Sequence, residues 1–125
     1  MSKNNDMMCV DFDDATLTDL RWEGEYIRLE CKDVSIGEKL FFVTILLFHV
    51  TNLSIDHKTT RRTSDSLMDG EDGDIIVLER IENNLSFLIE WHEYSGSRKE
   101  RLVKFYNISG KKIAVLIGDE IHYDD

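Results

Sequence analysis

Alternation with a period of two dominates this chain, and it restricts what the chain can fold into. Ile27, Leu29 and Cys31 alternate with Arg28, Glu30 and Lys32, and Leu20 and Trp22 alternate with polar neighbours just before them. Successive side chains of a strand point to opposite faces, so such a segment buries one face and wets the other. A helix through the same residues would carry Gly24 in its middle and lack a single apolar stripe. The segments 16–22 and 25–32 flank a short loop at Glu23-Gly24, and this pattern predicts a β-hairpin.

Beyond a turn at Ser35-Ile36-Gly37, residues 39–55 are rich in β-branched and aromatic side chains, among them Phe41, Phe42, Val43, Ile45 and Phe48. Good helix formers such as Ala are missing there, so the run predicts a strand. Both faces are apolar over residues 40–48, which predicts a central strand covered on both sides, with a bend near residues 49–52. Residues 57–74 read as an irregular acidic loop, with one short helical turn over residues 64–68. The second half predicts a four-strand meander over residues 75–81, 85–94, 98–108 and 112–117. Its turns fall at Asn83-Asn84, Ser95-Gly96-Ser97 and Ser109-Gly110. The chain has no proline, so breaks depend on Gly, Asn and Asp.

With 125 residues, the chain fits one domain, 1–125, with residues 1–9 as a frayed end. About seven strands and little helix predict an all-β fold. The expected form is a two-sheet antiparallel sandwich or a partly open barrel, with an N-terminal hairpin and the C-terminal meander.

Twenty-five acidic residues against 15 basic ones give a formal charge of −10. Phosphate repels such a chain, which argues against direct nucleic-acid binding and suits a basic protein partner. Residues 1–14 show no basic segment followed by an apolar one, and the longest apolar run is about half a membrane span. A cytoplasmic protein without membrane contact is therefore expected. Cys9 and Cys31 have no metal-ligand spacing and are expected as free thiols. Residues 69–74 resemble a calcium loop only superficially. Placing Gly73 or Gly70 at position six puts Met68 at position one or Leu67 at position three, where an oxygen ligand is required. No cofactor or metal is expected.

Glu90 and His92 lie two apart on one strand face and form a conceivable acid/base pair. A small ligand-binding or enzymatic β-barrel built on them is the alternative reading. A solvated strand face explains the same residues without chemistry. No Ser/His/Asp or Cys/His pairing can be assigned from spacing, so the chain is not read as an enzyme.

What remains is acidity in three groups. The first is Asp11, Asp13, Asp14, Asp19, Glu23 and Glu25; the second is Asp65, Asp69, Glu71, Asp72 and Asp74; the third is Asp119, Glu120, Asp124 and Asp125. The first two, with Trp91 and Tyr94 as aromatic anchors, are the candidate partner-binding residues. Trp22 is a further possible anchor.

Residues 13–22, which read Asp-Asp-Ala-Thr-Leu-Thr-Asp-Leu-Arg-Trp, are followed by Tyr26-Ile27-Arg28-Leu29-Glu30-Cys31. Further on come Gly73-Asp74-Ile75-Ile76 and Lys112-Ile113-Ala114-Val115. This pattern resembles small bacterial β-sheet immunity proteins of polymorphic and contact-dependent toxin systems. The resemblance implies a cognate toxin bound in the cytoplasm of the producing cell with its active site or substrate path blocked; the acidic charge suits a nuclease, whose own site is basic to hold phosphate. It brings no catalytic motif.

Overall fold

A computed structural model describes residues 10–92 and 102–123. The expectations for residues 1–9, Tyr94, the 95–97 turn, and Asp124 and Asp125 lie outside the described residues. Ten strands form within them, and no helix. They are β1 (Val10–Asp11), β2 (Thr16–Glu23), β3 (Tyr26–Ile36), β4 (Lys39–Phe48), β5 (Asn52–Ile55), β6 (Lys58–Thr59), β7 (Gly73–Ile81), β8 (Asn84–Trp91), β9 (Leu102–Ser109) and β10 (Lys112–Ile121).

All ten strands belong to one antiparallel sheet, ordered β10-β4-β3-β2-β7-β8-β9-β5-β6, with β1 paired to β3 and the ends not closed on each other. The expected all-β antiparallel fold is present. The strand count and the two separate sheets are corrected: ten strands lie in one sheet.

That sheet has two halves. β10, β4, β3 and β2 make one, and β7, β8, β9, β5 and β6 the other. Only two residue pairs, Thr16↔Asp74 and Leu17↔Gly73, join them at the β2–β7 seam. Leu17, Leu20, Ile27, Leu29, Ile45 and Leu47 from the first half share one buried cluster with Ile75, Leu85, Phe87, Ile89, Tyr106 and Ile108 from the second. With no helix to cover either inner face, the halves cover each other. Each such Leu, Ile or Phe contributes about 1.5–3 kcal/mol by leaving water.

The hairpin of β2 and β3 forms as the alternation requires, with Ile27, Leu29 and Cys31 buried. Its turn is Gly24-Glu25, one residue later than expected, and Gly24 takes φ 65°, which a residue without Cβ adopts freely. The next turn is likewise displaced, to Gly37-Glu38. Burial raises the Cys31 thiol to about 12, so it is an inert core thiol.

The 39–55 run breaks at residues 49–51, near the expected bend, into β4 and β5. It is not covered on both sides. Val43, Ile45 and Leu47 are buried, whereas Phe42 on the other face is 49% exposed. An apolar run does not by itself require two buried faces, because the outer face of a sheet tolerates scattered apolar side chains.

The C-terminal meander has three strands, not four. β7, β8 and β9 follow in order, but β10 pairs with β4 at the opposite end of the sheet. The turn at Gly110-Lys111 is anchored to both halves, because Gly110 N donates to Asn83 O at 3.1 Å and Lys111 N to Phe48 O at 3.0 Å.

The expected helical turn at residues 64–68 is extended instead. Trp22 N donates to Asp65 O at 2.7 Å and Leu67 N donates to Leu20 O at 2.9 Å, on either side of an Arg21↔Ser66 bridge. This segment occupies the edge of β2 that β7 leaves vacant, satisfying backbone groups there. Leu67 and Met68 pack against the core, and Tyr106 Oη donates to Leu67 O at 3.3 Å. The acidic loop is thus a seal between the halves.

Candidate protein-binding surface

The acidic residues do not form one field. Following β2 from end to end separates them. At its start, the turn before β2 sits on β7: Asp14 N donates to Ile75 O at 2.9 Å, and Ile75 N donates to Ala15 O at 2.8 Å. The backbone of Asp14 and Ala15 is thus held beside Ile75, and Asp74 faces Thr16 one pair further along the seam.

Glu79, further along β7, joins the group of Asp11, Asp13 and Asp14. Asp13 has its pKa raised, first by partial desolvation and then by the negative charges of Asp11, Asp14 and Glu79. Among the described residues, no Lys, Arg or His forms an ion pair with any of these four carboxylates. Among the described residues the one hydrogen bond to any of these carboxylates is local, from Asp13 N to Asp11 Oδ1 at 2.9 Å. Asp11, Asp13, Asp14 and Glu79 are all exposed.

The loop carboxylates behave differently, because most are already paired. Asp69 pairs with Lys104 of β9. Asp72 Oδ1 lies 2.7 Å from His92 Nδ1, and Asp74 Oδ2 lies 3.1 Å from its Nε2. Carboxylates only accept, so the protonated ring alone satisfies both contacts at once. His92 accordingly has its pKa raised, chiefly by the hydrogen bond to Asp72 and then by that to Asp74. Asp65 is paired with Arg62 at 2.8 Å, which lowers its pKa. Glu71 is exposed.

At the far end of β2, Glu23 pairs with Arg28 at 3.0 Å, and Glu25 sits in the exposed hairpin turn. Asp19, midway along, faces Glu30 on β3, whose carboxylate pairs with Arg28. Asp119 and Glu120 lie on β10, three strands away from β2.

Near the hairpin turn, Trp22, Glu25, His49, Val50, Thr51, Arg62 and Lys111 line an open cleft of about 430 Å³. Arg62 lies over the Trp22 ring, 4.9 Å from its centroid, and donates to Gly24 O at 2.6 Å. The stacked guanidinium covers the indole, so Trp22 is not a bare anchor.

Trp91 is corrected as a partner-binding residue. It is 2% exposed, on the core face with Leu85, Phe87 and Ile89, and Nε1 donates to Tyr106 Oη at 3.1 Å. The alternation of β8 itself carries this signal: every second residue from Leu85 to Trp91 is apolar. The Glu90/His92 pair also changes character, since the partners of His92 are Asp72 and Asp74. Both ring nitrogens are engaged, so neither is open to take a proton from a substrate. Glu79 was not among the expected residues. It carries no motif, and only the β2–β7 seam brings it to the acidic turn.

Among the described residues no group of three or more His, Cys, Asp or Glu side chains is arranged to hold a metal ion. Nor is there, among the described residues, a helix long and apolar enough to cross a membrane. Compared with known protein families, curated proteins and solved structures, the chain matches none.

Proposed function

We propose that this chain is an acidic binding protein that docks a basic protein through the face carrying Asp11, Asp13, Asp14 and Glu79. The single observation behind this reading is that these four carboxylates share one exposed place without a cationic partner among the described residues. Like charges held together cost stability, and a basic surface arriving from outside relieves that cost. Four of the five loop carboxylates, by contrast, have internal partners: Asp65 has Arg62 within the loop, and Asp69, Asp72 and Asp74 have Lys104 and His92 in the second half.

The partner class follows from the resemblance to immunity proteins: a toxin domain, with a nuclease as the leading candidate. A nuclease keeps a basic site to hold phosphate, and a carboxylate cluster can occupy the places phosphates would take. Inhibition of this kind needs no catalytic residue on the inhibitor.

Co-expression with the product of the adjacent upstream gene tests the reading. That product is expected to arrest growth alone, and this chain is expected to restore growth and copurify with it. An upstream product without toxicity, or toxicity that this chain leaves unchanged, overturns it.

A further inference from the structure

The two ends of the sheet differ. One is β6, only two residues long, Lys58–Thr59; the other is β10, Lys112–Ile121. β10 pairs with β4 along one side, and no strand among the described residues pairs with the backbone groups of its other side. Sheets usually blunt such an edge with charges, proline or a bulge. Here the devices sit only at the ends: Lys111 and Lys112 at one, and a bulge between Ile117 and Glu120, carrying Asp119, at the other. Between them lie five apolar residues, Ile113-Ala114-Val115-Leu116-Ile117. Leu116 is 52% and Ile117 48% exposed, and Gly118 brings Phe42, itself 49% exposed, alongside.

We propose that β10 is the surface on which a second copy of this chain pairs, antiparallel, about a two-fold axis at Val115, making one continuous sheet through both molecules. Self-complementarity identifies the occupant. With the axis at Val115, Ile113 of one copy faces Ile117 of the other, and Ala114 faces Leu116, so a small side chain meets a large one on each side. The same register brings the Lys111 end of one copy to the Asp119 end of the other, twice, as a two-fold interface requires. Parallel pairing would instead set Lys111 beside Lys111. The inner row of β10, in which Ile113 is 7% exposed and Val115 packs on the core, ends at the half-exposed Ile117. A facing Ile113 would continue that row and cover it. β10 lies three strands from β2, so pairing leaves the acidic turn open. The proposal therefore stands or falls apart from the toxin reading.

Sedimentation equilibrium of the full chain near physiological salt tests it. The mass is expected to rise with concentration from 14.6 kDa to twice that value. Leu116→Lys is expected to keep the far-UV spectrum of the fold and stay monomeric, because Leu116 lies outside the core. Lys111→Glu is expected to weaken association, and Lys111→Glu with Asp119→Lys to restore it. A wild-type chain that stays at monomer mass at every concentration overturns the proposal. So does a dimer that Leu116→Lys leaves undiminished, or a double charge swap no better than Lys111→Glu.

Discussion

The indole Nε1 of Trp91 donates to the hydroxyl of Tyr106 at 3.1 Å across the β8–β9 pair, inside the core. That hydroxyl in turn donates to Leu67 O at 3.3 Å, on the loop segment that completes the edge of β2. One buried hydroxyl thus connects the meander, the acidic loop and the first hairpin, and burial raises its pKa, keeping it protonated.

Tyr106→Phe keeps the ring stacked on Phe87, whose centroid is 4.9 Å away, and removes only the oxygen. Trp91 Nε1 is then buried without an acceptor, at a cost of about 1–3 kcal/mol. Urea unfolding measures that loss. Limited proteolysis is expected to cut residues 60–72 faster in the variant, because Leu67 keeps its bond to Leu20 O but loses the one from Tyr106.

Stability should depend on pH through His92. Its folded pKa lies above 6.5, the value for the free side chain, because Asp72 and then Asp74 hold the charged ring. The contribution is complete below 6.5 and is lost as pH rises through the raised folded value. The ring is 45% exposed, so solvent screening keeps the effect small. The denaturation midpoint is expected to fall as pH rises above 6.5 through the raised folded value, and His92→Gln is expected to flatten that decline. An NMR titration that places the His92 ring at or below 6.5 contradicts this account.

Gly73 marks the place where the halves join. It faces Leu17 on β2 and Trp91 on β8, and a Cβ there would lie 2.5 Å from Ile89 Cγ2 and 3.0 Å from Trp91 Cε3. Both neighbours are core side chains with nowhere to retreat. Gly73→Ala is expected to destabilise the fold by about 1–3 kcal/mol, read as a lower urea midpoint. If the midpoint is unchanged, the seam is looser than described.

Much of this fold was legible from local pattern. Alternation through Ile27, Leu29 and Cys31 predicts which face β3 buries, and the glycine at position 24 predicts where the chain turns. These signals are local: a side chain and its near neighbours decide them. Pairing between distant strands leaves no such trace. Sequence order predicts β10 beside β9, yet backbone bonds at Gly110 and Lys111 carry it across to β4. The site was hidden for the same reason. Nothing in residues 65–74 says that Asp69 meets Lys104 or that Asp72 and Asp74 meet His92, so the loop reads as a free acidic surface when most of it is internally paired. Asp11, Asp13 and Asp14 were visible as a charge run, but Glu79 joins them only through the seam.

The central claim, an acidic face that steers a basic protein onto it, is tested most directly by association kinetics with the upstream gene product over a range of salt. The wild-type on-rate is expected to fall steeply as salt rises. The combined Asp11→Asn, Asp13→Asn, Asp14→Asn variant is expected to associate about tenfold more slowly at low salt, with a flatter salt dependence and no loss of stability. A variant that binds at the wild-type rate with the same salt dependence contradicts the claim.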